Sequence, residues 1–225
     1  MDRAAFERDG AWRFERRLTA SEVEPLRVLA DSRLGARPGA RLAGEPQLTA
    51  LLSTDGPVGG IAARLTSSAA RPVRAVLFDK TPEANWVVAW HQDRTIAVRE
   101  RVEVQGFGPW SSKDGTLHVA PPFDVLARMV TLRVHLDPVD DTNAPLRIAL
   151  GSHANGRVAA DQAGALAAEA PQTVCLAEVG DVWAYRTPIL HASDRSLTPR
   201  RRRVLQVDYA DFDLPGGLVW QGVAT

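Results

Sequence analysis

Thr131-Leu132-Arg133-Val134-His135-Leu136 alternates polar and apolar side chains without a break. Successive side chains of a strand point to opposite faces, so Leu132, Val134 and Leu136 share one face and Thr131, Arg133 and His135 the other. The stretch predicts a strand with an apolar face to bury and a polar face that either lines a pocket or meets solvent. It belongs to the run 129–136. Runs of similar texture occur at 73–79, 86–91, 95–99, 146–150, 173–177, 181–186, 189–192 and 202–210, separated by Gly, Pro, Asp and Asn. Strands this short and this closely spaced predict an antiparallel, mainly β body of jelly-roll or cupin-like type.

Upstream of Pro72 the texture is different. Thr19-Ala20-Ser21-Glu22 forms a capping box, and Val23, Leu26, Val28, Leu29 and Leu34 follow at helical spacing, which predicts a helix over 20–33 ended by Gly35, Pro38 and Gly39. Shorter helices are expected at 46–53 and 57–66, and an Ala-rich surface helix at 159–170. Residues 106–122 are rich in Gly and Pro and read as a long loop of the kind that forms lids or binding loops. The expectation is one domain over 1–225, with a helical N-terminal support (1–70) and a jelly-roll core (71–225).

Of the 225 residues, 45% are hydrophobic and 24% charged, and Lys plus Arg balance Asp plus Glu at 27 each. That excludes a disordered chain and offers no global field for nucleic acid or an anionic membrane. The single cysteine, Cys175, precludes an internal disulfide, and its apolar setting suggests a small core residue. The charged N-terminus lacks the apolar core of a signal peptide, and no apolar run reaches the roughly 18 residues of a membrane span. A cytoplasmic location follows as the expectation.

Trp90-His91-Gln92-Asp93 carries the first chemistry. In an extended segment His91 and Asp93 share a face, so an imidazole and a carboxylate stand side by side. His191, 98 residues beyond Asp93 in another β-like run, can supply a third ligand. Two imidazoles and one carboxylate form the facial triad that leaves coordination positions open on non-haem iron. A bidentate keto-acid cosubstrate then needs a cation for its far carboxylate. Arg202, eleven residues after His191, suits that role, because a guanidinium fork matches a carboxylate bidentately. Arg200 to Arg203 are consecutive, so Arg201 and Arg203 remain alternatives. Ser193 lies on the His191 face and offers a hydroxyl to the same carboxylate.

His91, Asp93, His191, Ser193 and Arg202 together resemble the phytanoyl-CoA dioxygenase family of iron(II)- and 2-oxoglutarate-dependent oxygenases. The likeness extends to Phe6-Glu7-Arg8-Asp9-Gly10, Lys80-Thr81-Pro82, the stretch Pro145 to His153, and Gly180-Asp181-Val182. It implies a double-stranded β-helix, Fe(II) on His91, Asp93 and His191, and 2-oxoglutarate held by Arg202 and Ser193. It also implies a tryptophan near the cosubstrate about eighteen residues after the first ligand; Trp110 lies nineteen on. The implied reaction uses O2 and 2-oxoglutarate to hydroxylate a small-molecule substrate, releasing succinate and CO2. Related iron halogenases lack the carboxylate ligand, so Asp93 argues against halogenation.

Candidates for the primary-substrate pocket are Lys80, Asn85, His118 and Arg133, with Trp86 expected in the core and His153 in a structural hydrogen bond. A non-redox metal cupin, either an isomerase or a small-molecule binding protein, would share the body and the metal ligands but would not need the arginine. Oligomeric state and the identity of the substrate are not encoded in these patterns.

Overall fold

The protein is seen here as a computed structural model that describes residues 1–223; positions 224 and 225 of the span 71–225 lie outside the described residues. The chain runs α1 (Arg3–Asp9), β1 (Ala11–Phe14), α2 (Ala20–Leu34), β2 (Gly39–Leu42), α3 (Thr49–Leu52), α4 (Gly59–Leu65), β3 (Arg71–Lys80) and β4 (Val88–His91). It continues through β5 (Ile96–Val98), β6 (Trp110–Lys113), β7 (Thr116–Val119), α5 (Phe123–Ala127), β8 (Val130–His135), β9 (Leu146–Ala149) and α6 (Ala163–Glu169). It ends with β10 (Gln172–Val174), β11 (Val182–Arg186), β12 (His191–Ser193) and β13 (Arg202–Ala210).

All pairing is antiparallel. The major sheet has the order β1-β11-β8-β13-β3-β2 and the minor sheet β10-β9-β12-β4, while β5-β7-β6 forms a small third sheet. This is the jelly-roll, cupin-like arrangement of a double-stranded β-helix, with strand edges that do not close into a barrel.

The alternation in β8 decides how the layers stack. Leu132, Val134 and Leu136 join Leu205 and Val207 of β13, Val23 and Leu26 of α2, and Ile61 and Leu65 of α4 in one buried cluster. Each such fully buried side chain contributes about 1.5–3 kcal/mol of transfer free energy. Thr131, Arg133 and His135 are buried too, on the opposite face, so the polar stripe looks between the sheets and not at solvent. The same two-faced pattern continues in β13, where Arg202 and Gln206 share the inner side with Arg133.

The capping box forms: the Glu22 carboxylate accepts from the Thr19 amide at 2.8 Å, and α2 runs to Leu34 before Gly35. The helical support over 1–70 also carries two short strands, β1 and β2, which pair with β11 and β3; at four residues each they are too short to show a period, and their partners determine them. One expectation needs correction. The expected loop 106–122 contains the β6–β7 hairpin. Its turn, Asp114-Gly115, has both residues at positive φ (49° and 74°), the conformation of a two-residue hairpin turn. Ser111, Ser112 and Lys113 lack the apolar alternation that would have revealed the strand. No helix among the described residues is long and apolar enough to cross a membrane.

Candidate active site

His91 ends β4 and His191 opens β12, and the two are paired across the minor sheet. The register slips between His191 and Ser193, where three residue steps on β4 oppose two on β12, and this bulge re-aims the end of β4. The imidazole centroids are 4.3 Å apart, and ligand atoms of His91, Asp93 and His191 all lie within 4.8 Å of one another.

Each imidazole is oriented by its own strand. His91 Nδ1 lies 2.9 Å from the Ala89 carbonyl and His191 Nδ1 lies 3.0 Å from the Ile189 carbonyl. A carbonyl can only accept, so each Nδ1 carries the proton and each Nε2 keeps its lone pair for a metal. Burial, against the pull of Asp93, pushes His191 down to about 4, which keeps it in the neutral form that ligates. Asp93 experiences the opposite balance: burial raises it, but Arg74 and then the two imidazoles hold it below the usual carboxylate range. Arg74 Nη2 is 3.5 Å from Asp93 while its Nε donates to Asp208 at 2.6 Å, and Thr131 Oγ1 donates to Asp208 at 3.0 Å. Arg74 was absent from the sequence-level candidates. Its place on the inner face of β3 depends on a neighbour, Asp208, that only the β3–β13 pairing brings close.

The four consecutive arginines separate by alternation and pairing. Arg200 pairs with Asp140, Arg201 with Asp79 and Asp31, and Arg203 with Asp137 and Asp31. Arg202 alone turns inward, buried, with Nη1 donating to the Ala144 carbonyl and Nε without a partner. Burial, reinforced by nearby Arg133, pulls its guanidinium down to about 9. Ser193 is close by, donating to the same Ala144 carbonyl at 3.0 Å and accepting from Lys80 Nζ at 3.1 Å. Lys80 is fully buried, with Nζ 5.2 Å from the Trp86 ring centroid; burial and then Arg202 bring it down to about 8. Arg133 Nη1 donates to Gln206 at 2.7 Å, and its Nε has no partner among the described residues.

These groups surround an inner cavity of about 140 Å³ bounded by His91, Asp93, His191, Ser193, Arg202 and Arg133, with Phe78, Trp86, Val88 and Leu146 as its apolar walls. For comparison, a cavity of roughly 150 Å³ holds a benzene ring. A wider mouth of about 430 Å³ shares His91 and Asp93 with it. Gln92, between His91 and Asp93, is a clamp: it donates to the Gly156 carbonyl and accepts from the Val158 amide, both at 2.9 Å.

Three candidates lie elsewhere. Asn85 is engaged with the Ser196 backbone in both directions, at 2.9 and 2.7 Å. His118 is fully buried with Nδ1 2.9 Å from the Thr116 carbonyl, and lines neither cavity. Trp110 stands under the Arg101 guanidinium, 5.4 Å from ring centroid to Cζ, and packs on the cluster around Val98 and Phe107. The tryptophan in the inner cavity is Trp86, which the sequence placed in the core. His153 Nε2 meets the Glu7 carbonyl at 3.2 Å, and Cys175 is buried, its thiol pushed up to about 12 by burial.

Comparisons with known proteins agree with this architecture. The carbocyclase SnoK from nogalamycin biosynthesis superposes with a TM-score of 0.70 at 17% identity, covering 98% of this chain and 86% of that one. The epimerase SnoN, crystallised with Fe3+, alpha ketoglutarate and nogalamycin RO, gives 0.67 at 19%, covering 96% and 89%. EctD from S. alaskensis in its apoform gives 0.66 at 19%, covering 92% and 75%. A search of curated proteins by sequence returned no match. The profile of the family described as Phytanoyl-CoA dioxygenase (PhyH) matches residues 6–204. Because that match runs unbroken from α1 through both paired histidines to Arg202 and beyond, the chain belongs to the phytanoyl-CoA dioxygenase family.

Proposed function

We propose that the protein is an iron(II)- and 2-oxoglutarate-dependent dioxygenase that hydroxylates a small molecule, with release of succinate and CO2. The observation that carries this reading is Arg202: a buried guanidinium with no carboxylate partner, facing the same small cavity as the His91, Asp93 and His191 donor atoms. An uncompensated buried charge is costly to folding, so a dianionic occupant gives that charge a reason to be there. The donor set suits iron: two imidazoles and one carboxylate leave coordination positions free for a bidentate keto acid and O2.

Bound together, the iron and 2-oxoglutarate supply the oxidising power for cleaving a C–H bond with O2. The chain's own residues hold, orient and exclude water. His91, Asp93 and His191 hold the metal, their directions set by the Ala89 and Ile189 carbonyls and by Arg74. Arg202 and Ser193 receive the far carboxylate, with Lys80 bracing the serine. Arg133 adds positive charge to the same cavity, and Phe78, Trp86 and Leu146 keep bulk water from it. In this reading Lys80 and Arg133 serve the cosubstrate, and Asn85, His118 and Trp110 serve packing. HygX from Streptomyces hygroscopicus, crystallised with nickel and 2-oxoglutarate, shares the fold at a TM-score of 0.63 and 18% identity, which supports the cosubstrate assignment. The whole chain would act as one oxygenase domain, since the first 65 residues share a hydrophobic cluster with the major sheet. A cytoplasmic setting is consistent with a lone buried cysteine.

The test is to add iron(II) and 2-oxoglutarate without oxygen and look for the weak visible charge-transfer band of the chelate. A silent spectrum with iron bound overturns the oxygenase reading and favours a non-redox cupin. Screening metabolites for stimulated succinate release then identifies the substrate.

A further inference from the structure

The mouth above the metal-facing residues is unusually cationic for an otherwise neutral chain. Its wall carries Arg41 from β2, Arg74 from β3, Arg94 just past the Asp93 ligand, and Lys113 from the tip of the β6–β7 hairpin, while Asp93 is its one acidic side chain. Two of these charges are compensated. Arg74 is engaged with Asp208 and Asp93, and Arg41 Nη1 binds Asp114 at 2.6 Å, which ties the hairpin tip to the major sheet. The other two are not. Arg94 donates to a backbone carbonyl, Val158, at 2.5 Å, and the Lys113 ammonium has no ion-pair or hydrogen-bond partner among the described residues. The positive field is felt nearby: burial, with Arg74, Arg41 and Lys113 adding to it, pushes His118 down to about 4. Val76 and Phe78 give the same cavity an apolar floor leading toward His91.

We infer that Arg94 and Lys113 bind an anionic group, a carboxylate or a phosphate, on the primary substrate, so that its hydrocarbon portion lies over Val76 and Phe78 beside His91 and Asp93. The substrate is therefore a small organic acid or organic phosphate. Two cations lining one recess suit either anion, and the cavity volume suits a small molecule. This inference rests on the oxygenase reading for the meaning of "substrate", but the site itself is defined by the mouth and not by the inner cavity.

The test uses the full chain with Zn(II), a redox-inert metal, and saturating 2-oxoglutarate. Paired probes are titrated by calorimetry: phenyl phosphate against benzyl alcohol, and phenylacetate against phenylacetamide. Expected is about ten-fold tighter binding of each anion than of its neutral partner, the scale of one charge-assisted contact. The tighter of the two anions then assigns phosphate or carboxylate. Lys113→Glu, an exposed change that the fold tolerates, and Arg94→Gln should each remove roughly that ten-fold advantage. Equal binding of anion and neutral partner, or full anion binding by Lys113→Glu, overturns the proposal. A separate titration with 2-oxoglutarate keeps the two readings apart: if it does not bind, the oxygenase reading fails, whereas the mouth stands or falls on the paired probes.

Discussion

Arg202 is held where a folded chain has no electrostatic use for it. Its guanidinium is buried among Arg133 and Lys80, and among the described residues the acceptor it meets is a carbonyl, that of Ala144. Replacing it with a neutral side chain of similar length should therefore relieve the ligand-free protein while abolishing cosubstrate binding. For Arg202→Met, thermal unfolding without ligand should stay at or above the parent midpoint, and the further rise that 2-oxoglutarate adds over iron(II) alone should vanish. Arg201→Ala should do the reverse. It leaves the buried Asp79 carboxylate without its partner at 2.7 Å, costing about 1–3 kcal/mol, while the 2-oxoglutarate requirement stays near the parent value. Lys80 adds a pH dependence. Burial lowers it to about 8, so it is charged below that pH and neutral above. Affinity for the dianion should be full near pH 7 and weaken as pH rises through 8, and Lys80→Met should flatten that profile in anaerobic titrations. Asp93→Ala should abolish coupled succinate formation, and retained turnover would contradict its place as a ligand.

At the scale of elements, a double geometric demand, a positive φ and a close main-chain contact, lies where β1 hands over to α2. The Gly180 carbonyl accepts from the amides of Arg17 and Leu18, and its φ is +85°. A Cβ there would meet the Leu18 carbonyl oxygen at 2.2 Å. Gly180→Ala should cost more than about 2 kcal/mol in denaturant unfolding, combining a disfavoured backbone with a clash against main chain. Long elements were legible in the sequence for local reasons. The helical spacing from Val23 to Leu34 behind the α2 capping box and the alternation of β8 each repeat a signal over six or more residues. Elements set by their partners were not: β1 and β2 exist because β11 and β3 offer edges, and β6 has no apolar period at all. Asp114-Gly115 was the available cue for its hairpin. The same division holds at the site. His91, Asp93 and His191 could be read from residue type and spacing, whereas Arg74, Gln206 and Trp86 matter through cross-strand or cross-cavity neighbours that spacing cannot supply.

Across the whole molecule, the major sheet divides its labour by face. The side against α2, α3 and α4 is hydrocarbon from Val23 to Tyr209 with an ion-pair edge of Asp31, Asp79, Asp137, Arg201 and Arg203, and the side against the minor sheet carries Arg74, Lys80, Arg133, Arg202, Gln206 and Asp208. Ligands that bind only the folded form should stabilise it. With 2-oxoglutarate and iron(II) each at a hundred times its dissociation constant and oxygen excluded, about 2.7 kcal/mol per ligand, roughly 5.4 kcal/mol together, corresponds to a midpoint rise of roughly 11–22 °C by scanning calorimetry. An unchanged midpoint would mean that the inner cavity does not accept them. Because β3, β8 and β13 each show one set of side chains to the scaffold and the other to the chamber, the two sets can drift independently. Descendants of such a chain can acquire new reactions by exchanging alternate residues, with no renegotiation of how the polypeptide holds its shape.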